Sequence, residues 1–232
     1  MDAPLIANEC IDSYIKSGDS GILSKLDIEK VYDHVSRSFL LEILKKNGVP
    51  SKWRKSMSFF YISTVHFFIL INGEAFGFFS SSIGLRQGDP LSPLLFILVI
   101  ETLSKLVNRV VDEGFLDGLH ISNSCSESVF ISHLLFDDDT IVFCKPEESN
   151  LHFLKCIHLV FEAMFGLRVN LTKSLIIPIG ELPNVNVLAH FFGCRVEYLP
   201  AYYLGLPLGA SYKCKVVWDP DVEQFHKRFP SV

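Results

Sequence analysis

Three consecutive aspartates, Asp137-Asp138-Asp139, sit between two short apolar arms, His133–Phe136 and Thr140–Cys144. Each arm has the length of a short buried strand, so the stretch reads as a hairpin with the acids at or beside its tip. Carboxylates packed side by side raise one another's pKa, and a fold keeps such a cluster where a cation resides. Oxygen donors on a rigid turn suit Mg²⁺. Taken alone, the three residues read better as a solvated acidic turn than as a metal site. A further carboxylate, Asp27, ends the strand candidate Ile22–Ile28. If the two strands neighbour each other in one sheet, their carboxylates converge on one point. Two-metal phosphoryl transfer requires that arrangement: one ion activates the attacking oxygen and a second, ~3.5–4 Å away, stabilises the leaving group. Read singly, Asp27 is also a strand-end cap, and Glu29, Lys30 and Asp33 a solvated helix start with local ion pairs.

The elements that must position these acids follow from periodicity. Residues 3–16 predict a helix with Leu5, Ile6, Ile11, Tyr14 and Ile15 as its apolar face and Gly18 as its stop. Ser36 or Ser38 can cap a helix carrying Phe39, Leu40, Ile43 and Leu44, with Lys45 and Lys46 favouring its dipole and Gly48 ending it. Pro50 and Ser51 open a short helix with Trp53 and Met57. Asn72-Gly73 between His66–Ile71 and Glu74–Phe79 predicts a hairpin with a type I′ turn. Pro90 to Val111 reads as a buried helix with its prolines in the first turn. Ser149 or Asn150 can cap a helix to Phe165 whose inner stripe is Leu151, Leu154, Ile157, Phe161 and Phe165, ended by Gly166. Residues 169–179 resemble a strand interrupted by Lys173. A short helix around 187–192 precedes a strand and turn at 203–209. One mixed α+β unit is the economical reading.

Composition bounds the alternatives. The 232 residues are 49% hydrophobic and 20% charged, a globular balance with material for a large core. A net charge of -5 argues against a surface that grips nucleic acid all over, since phosphate binding leaves a basic footprint. The six cysteines form no C-x-x-C pair, and the apolar settings of Cys144 and Cys156 predict reduced, buried thiols in an intracellular protein, nuclear or cytoplasmic. The N-terminus lacks a basic n-region, so no signal peptide is expected. Residues 59–71 are too few to span a membrane, and 91–100 are closed off by Pro90, Pro93 and Glu101.

Five stretches resemble the motifs of LINE-type, non-LTR retrotransposon reverse transcriptases, in that family's order. Leu26-Asp27-Ile28-Glu29-Lys30-Val31-Tyr32-Asp33-His34-Val35 resembles motif A, and Gly84-Leu85-Arg86-Gln87-Gly88-Asp89-Pro90-Leu91-Ser92-Pro93 motif B. Phe136-Asp137-Asp138-Asp139 matches the motif C box, usually Phe/Tyr-Ala-Asp-Asp. Gly166-Leu167-Arg168-Val169-Asn170-Leu171-Thr172-Lys173-Ser174 is similar to motif D, and Tyr203-Leu204-Gly205-Leu206-Pro207-Leu208-Gly209 to motif E. Leu5-Ile6-Ala7-Asn8-Glu9 is similar to what precedes motif A in plant elements of this kind.

The resemblance implies a polymerase-type palm, an antiparallel sheet packed by helices, with fingers incomplete and thumb lacking. Residues 1–21 would be the entry to the palm, 22–195 the palm with motifs A to D, and 196–232 motif E and the connection to a thumb. It implies RNA-directed DNA synthesis with two Mg²⁺ ions held by Asp27 and Asp138, Asp139 beside them and the Ile28 carbonyl assisting. RNA template, DNA primer and deoxynucleoside triphosphates would be the partners, with no membrane. Tyr32 would crowd the sugar 2′ position, Gln87 and Gly88 would lie against nucleotide and template, and Lys173 would stabilise the triphosphate or protonate the pyrophosphate. Tyr32 as a packed tyrosine and Lys173 as a surface lysine are the structural alternatives. Asp137 stands where the family usually has Ala, and Val31 where it has a small Ala. The basic upstream motifs have no counterpart among these residues, which also accounts for the acidic balance. The expectation is therefore a domain fragment inactive as this chain alone. The alternative is a non-catalytic retroelement relic with at most weak nucleic-acid or metal binding.

Overall fold

The Asp27 strand is the middle of the main sheet. The computed structural model describes residues 2–59, 66–80, 83–122, 128–136, 139–210 and 219–228. In chain order the elements are α1 (Asp2–Ser17), β1 (Gly21–Asp27), α2 (Val31–His34), α3 (Arg37–Lys46), α4 (Ser51–Met57), β2 (His66–Ile71), β3 (Glu74–Ser80), α5 (Ser92–Asp112), β4 (Leu119–Ser122) and β5 (Ser128–Ile131). They continue with β6 (His133–Phe136), β7 (Asp139–Cys144), α6 (Glu148–Phe165), β8 (Leu175–Ile179), α7 (Val185–Phe192), β9 (Arg195–Val196), β10 (Ala201–Tyr203), β11 (Leu206–Leu208) and α8 (Asp219–Arg228).

Five strands form one sheet in the order β6-β7-β1-β8-β9. β1 is antiparallel to both β7 and β8, and β6 is antiparallel to β7. The sheet is not wholly antiparallel as expected: the two-residue β9 joins β8 in parallel, because α7 crosses back between them. Hairpins β2–β3, β4–β5 and β10–β11 each form a separate pair.

Alternation along β1 divides the core. Ile22 and Leu26 face one side with Val142, Cys144 and Ile176, where they are buried against α3, α5, α6 and α7. Leu23 faces the other with Phe143, Ile177 and Ile179, under α1, β4 and the β10–β11 hairpin. Helix α5 meets its side through Leu95, Val99, Leu103 and Val107, a four-residue repeat that keeps one stripe inward. Helix α6 buries Leu151, Leu154, Ile157, Phe161 and Phe165, the stripe its sequence predicts.

Several expectations need correction. In α1 the buried face is Ala7, Cys10, Ile11 and Tyr14, while Leu5, Ile6 and Ile15 are exposed. The i, i+3, i+4, i+7 spacing of the smaller set fits one helical stripe, and small residues let the helix lie close to the sheet. Asn8 pins the helix to the β10–β11 hairpin: its amide donates to Pro207 O (3.1 Å) and its oxygen accepts from Gly209 N (2.8 Å). Ser36 caps α3. Neither Ser149 nor Asn150 caps α6; Glu147 holds that position, and Asn150 Oδ1 accepts from Asp117 N at 2.8 Å instead. Cys144 is buried, but Cys156 is half-buried. The strand expected over 169–179 is only β8, for a reason that concerns the site. Among the described residues no helix is long and apolar enough to cross a membrane.

Candidate active site

β1 ends on a carboxylate because the pairing of its neighbour does. The β1–β7 register runs from Ile22↔Cys144 to Asp27↔Asp139, placing the two aspartates directly opposite at the open end of the pair. β6 and β7 close as a pair at Phe136↔Asp139. Asp137, which stands where the family usually has Ala, and Asp138, expected as a metal ligand, lie outside the described residues. Opposed like charges are unfavourable in a sheet, and here each meets a lysine. Lys173 Nζ stands 3.9 Å from Asp27 Oδ2, and Lys25 Nζ stands 4.0 Å from Asp139 Oδ1.

The segment carrying Lys173 is not strand, because Asn170 folds it into a turn. Its Oδ1 accepts from Thr172 N (3.1 Å), Thr172 Oγ1 (2.7 Å) and Lys173 N (3.2 Å). Asn170 N donates to Asp27 O at 2.8 Å, and Asp27 N donates to Ser174 Oγ at 3.2 Å. Ser174 Oγ in turn donates to Asn170 O at 2.8 Å. Both main-chain polar groups of Asp27 are thus held by the turn that delivers Lys173. Sequence reasoning named neither Asn170 nor Ser174 as a site residue. The Asx-turn habit of Asn was the available signal.

A second cluster gathers Tyr32, Gln87 and Gly88. Lys30 precedes α2 with φ 43, a left-handed backbone at a non-glycine residue between Asp27 and Tyr32. Tyr32 O accepts from Leu85 N at 2.6 Å, and Gln87 Nε2 donates to Asp33 Oδ1 at 3.1 Å, so motif B is laced onto the residues after Asp27. Gly84 sits at φ +81, where an added Cβ would run into the Asp33 carbonyl, and Arg37 Nε donates to Gly84 O at 2.8 Å. Gly88 also has φ +81, but faces open space. The Tyr32 ring packs tilted on Phe96 at 5.3 Å and borders a cavity of about 360 Å³ with Pro93, Phe96, Ile97, Ile100, Glu101 and Leu135. Asp27, Asp139 and Lys173 are not among its lining residues. Tyr32 is therefore both packed, as its structural alternative requires, and at the edge of an open space.

On the outer side of Asp139 stands Tyr203, fully buried, its OH donating to Asp139 O at 3.4 Å. Burial, with the Asp139 charge adding to it, pushes its phenol up to about 12. The donor chemistry fits Mg²⁺: hard carboxylate oxygens on rigid, paired strands at a partly exposed edge. Asp27 and Asp139 are the described carboxylates there; among the described residues no set of three or more His, Cys, Asp or Glu side chains is grouped to hold a metal.

Residues 4–208 match the profile of "Reverse transcriptase (RNA-dependent DNA polymerase)". The chain is 53% identical over 77 residues to an uncharacterised mitochondrial protein of Arabidopsis thaliana, covering 32% of this chain and 61% of that one. It is 24% identical over 185 residues to the Pol polyprotein of the type-2 retrotransposable element R2DM of Drosophila melanogaster, covering 79% of this chain and 15% of the polyprotein. With the Pol polyprotein of the type-1 element R2 of Popillia japonica it shares 30% over 139 residues, 57% of this chain and 21% of that one. Among solved structures, telomerase from Candida albicans in complex with a fragment of telomeric RNA matches with a TM-score of 0.56 and 12% identity, over 75% of this chain and 30% of that one. Apo telomerase from Candida tropicalis, truncated from its C-terminal domain, matches at 0.55 and 17%, over 78% and 35%. These structural likenesses speak for the fold, a polymerase palm. The chain spans less than two thirds of each of these relatives. With a profile match over nearly its whole length and retrotransposon Pol polyproteins among its relatives, the chain belongs to the reverse transcriptase (RNA-dependent DNA polymerase) family.

Proposed function

We propose that the chain is the palm fragment of an RNA-directed DNA polymerase of a non-LTR retrotransposon, whose reaction extends a DNA primer along an RNA template by two-metal nucleotidyl transfer. The observation that carries this reading is the Asp27↔Asp139 register, which brings motifs A and C to one edge with Lys173 beside them. In the reaction the primer 3′ hydroxyl gives up its proton to solvent as its oxygen forms a bond to the α-phosphorus of a deoxynucleoside triphosphate. The α–β phosphoanhydride bond breaks, and pyrophosphate leaves with the bonding electrons. Asp27, Asp138 and Asp139 would hold Mg²⁺, which supplies charge stabilisation and lowers the pKa of the attacking hydroxyl. The chain's own residues orient the parts. The Asn170 turn fixes Asp27, and Lys173 is close enough to that carboxylate to reach the charge of the leaving pyrophosphate. Gly88, open in the middle of the motif B loop, leaves room for close backbone approach by a nucleotide or template. Tyr32 borders the space where a sugar 2′ substituent would be excluded.

The test is primer extension on an RNA template with Mg²⁺, by the chain and by its Asp27→Ala and Asp138→Ala variants. Extension lost in both variants supports the reading. Extension that survives either substitution overturns it, and no extension by the unmodified chain favours the non-catalytic relic.

A further inference from the structure

The two lysines at the acidic edge are not alike. Lys173 is mostly exposed and approaches Asp27 from the tip of a turn. The Lys25 side chain is only 26% exposed and meets three groups from two other elements. Its Nζ stands 4.0 Å from Asp139 Oδ1 on β7, donates to Tyr202 O at 3.3 Å on β10, and lies 5.8 Å from the centre of the Tyr203 ring. Period-2 alternation puts Lys25 on the same face of β1 as Asp27, diagonal to Asp139 in the ladder. Tyr203 completes the circuit by donating to Asp139 O. Holding a long lysine stem in one place costs rotamer entropy, so a merely solubilising lysine would be left waving in water.

We propose that Lys25 is a positioning residue: it ties the β10–β11 hairpin to the Asp139 carboxylate, fixing how that carboxylate is presented at the acidic edge. The role in the reaction rests on the polymerase reading above. The tie itself does not. With a divalent ion held at Asp139, the ammonium would keep its two contacts on β10, to Tyr202 O and the Tyr203 ring.

Two arms test this on the full chain with Lys25→Met, which keeps the stem and removes the charge, and Lys25→Arg, which keeps the charge and the ring contact. Hydrogen exchange reads the tie. In Lys25→Met the amides of Ala201–Leu208 exchange roughly tenfold faster, as loss of a charged hydrogen bond and a cation–π contact implies. Those of β1 and β7 keep their protection, and Lys25→Arg restores the hairpin. Unchanged exchange in the hairpin, or an equal rise throughout the sheet, overturns the tie. Primer extension with Mg²⁺ reads the role. In Lys25→Met kcat falls about tenfold while KM for the deoxynucleotide holds, and Lys25→Arg recovers kcat. If Asp139→Asn abolishes extension and Lys25→Met leaves it untouched, the positioning role fails and the polymerase reading stands. If the unmodified chain does not extend, or Asp139→Asn still does, the polymerase reading fails and the catalytic role with it; exchange then judges the tie alone.

Discussion

Asp27 faces Asp139 across the β1–β7 ladder, although 112 residues separate them in the chain. Each carries a lysine at the limit of an ion pair, so neither is a buried charge the fold depends on. Asp27→Asn and Asp139→Asn should therefore leave the thermal midpoint unchanged or slightly raised, as repulsion across the pair is relieved. Primer extension should fall roughly 10²-fold or more in each, since several kcal/mol of charge stabilisation go with a metal ligand. Calorimetry beside extension assays checks both halves. A large drop in the midpoint would mean the carboxylates are structural.

Lys173 offers a finer test. It is mostly exposed, so Lys173→Ala should not move stability measurably. If it serves the leaving pyrophosphate, kcat should fall about 10²-fold with little change in KM. Asn170→Ala should reproduce much of that loss by releasing the turn that places it, with a measurable stability cost because three donors lose their acceptor. A kinetic effect of Lys173→Ala with none from Asn170→Ala would separate the lysine's charge from its placement.

Local codes made parts of this architecture legible. Asn72-Gly73 forms its hairpin with both residues at positive φ, 53° and 88°, the conformations a type I′ turn demands. The α6 stripe was legible because every apolar residue on it answers to the same core. What failed was non-local or competitive. β8 was read six residues too long because Asn170 captures the backbone in a turn, and propensity cannot weigh that competition. The β4–β5 pair escaped notice, as four-residue strands carrying His120 and Ser122 give little alternation to read. The meeting of Asp27 with the acidic hairpin was legible only conditionally, since strand neighbourhood is set by the whole sheet. Lys25 was missed although its place two residues before Asp27 assigns it to the same face.

Gly84 should be among the least replaceable residues of the motif B loop. Its φ of +81 is strained for any L side chain, and an added Cβ would run into the Asp33 carbonyl, which cannot yield because it is backbone. Gly84→Ala should cost roughly 2–4 kcal/mol. Gly88→Ala, with the same φ but open space around it, should cost only the conformational part. Denaturant unfolding of the two variants gives the comparison, and equal costs would show that the Asp33 contact contributes nothing.

The β2–β3 hairpin should govern how the chain behaves at high concentration. Phe68, Ile69, Leu70, Ile71 and Phe76 are each about half exposed or more, so both faces of the pair present apolar surface to water. Two short apolar strands that pair with no third strand among the described residues invite pairing between copies. Ile69 and Phe76 are cross-strand partners, so replacing both with Thr keeps strand propensity while removing the patch. Sedimentation velocity should then show less self-association at equal concentration, with an unchanged melting profile. Undiminished association would place the sticky surface elsewhere.

His158 sets a stability slope in mild acid. It is buried between α6 and α7, edge-on to Phe192 at 5.8 Å, and its Nε2 has no hydrogen-bond partner among the described residues. Burial pushes its pKa down from 6.5 to about 4. Between these values the unfolded chain binds a proton that the folded chain refuses, so stability rises with pH across this window and is lost as pH falls through it. Above pH 6.5 both states are neutral at this residue and it contributes no slope. The full effect is about 3 kcal/mol between pH 6.5 and 4. His158→Leu removes the group that must stay neutral and relieves an orphaned nitrogen. The variant should unfold at higher denaturant than the parent near pH 4.5, with the gap narrowing toward pH 7.5. Parallel pH curves for the two proteins would show that His158 is protonated in the folded state after all.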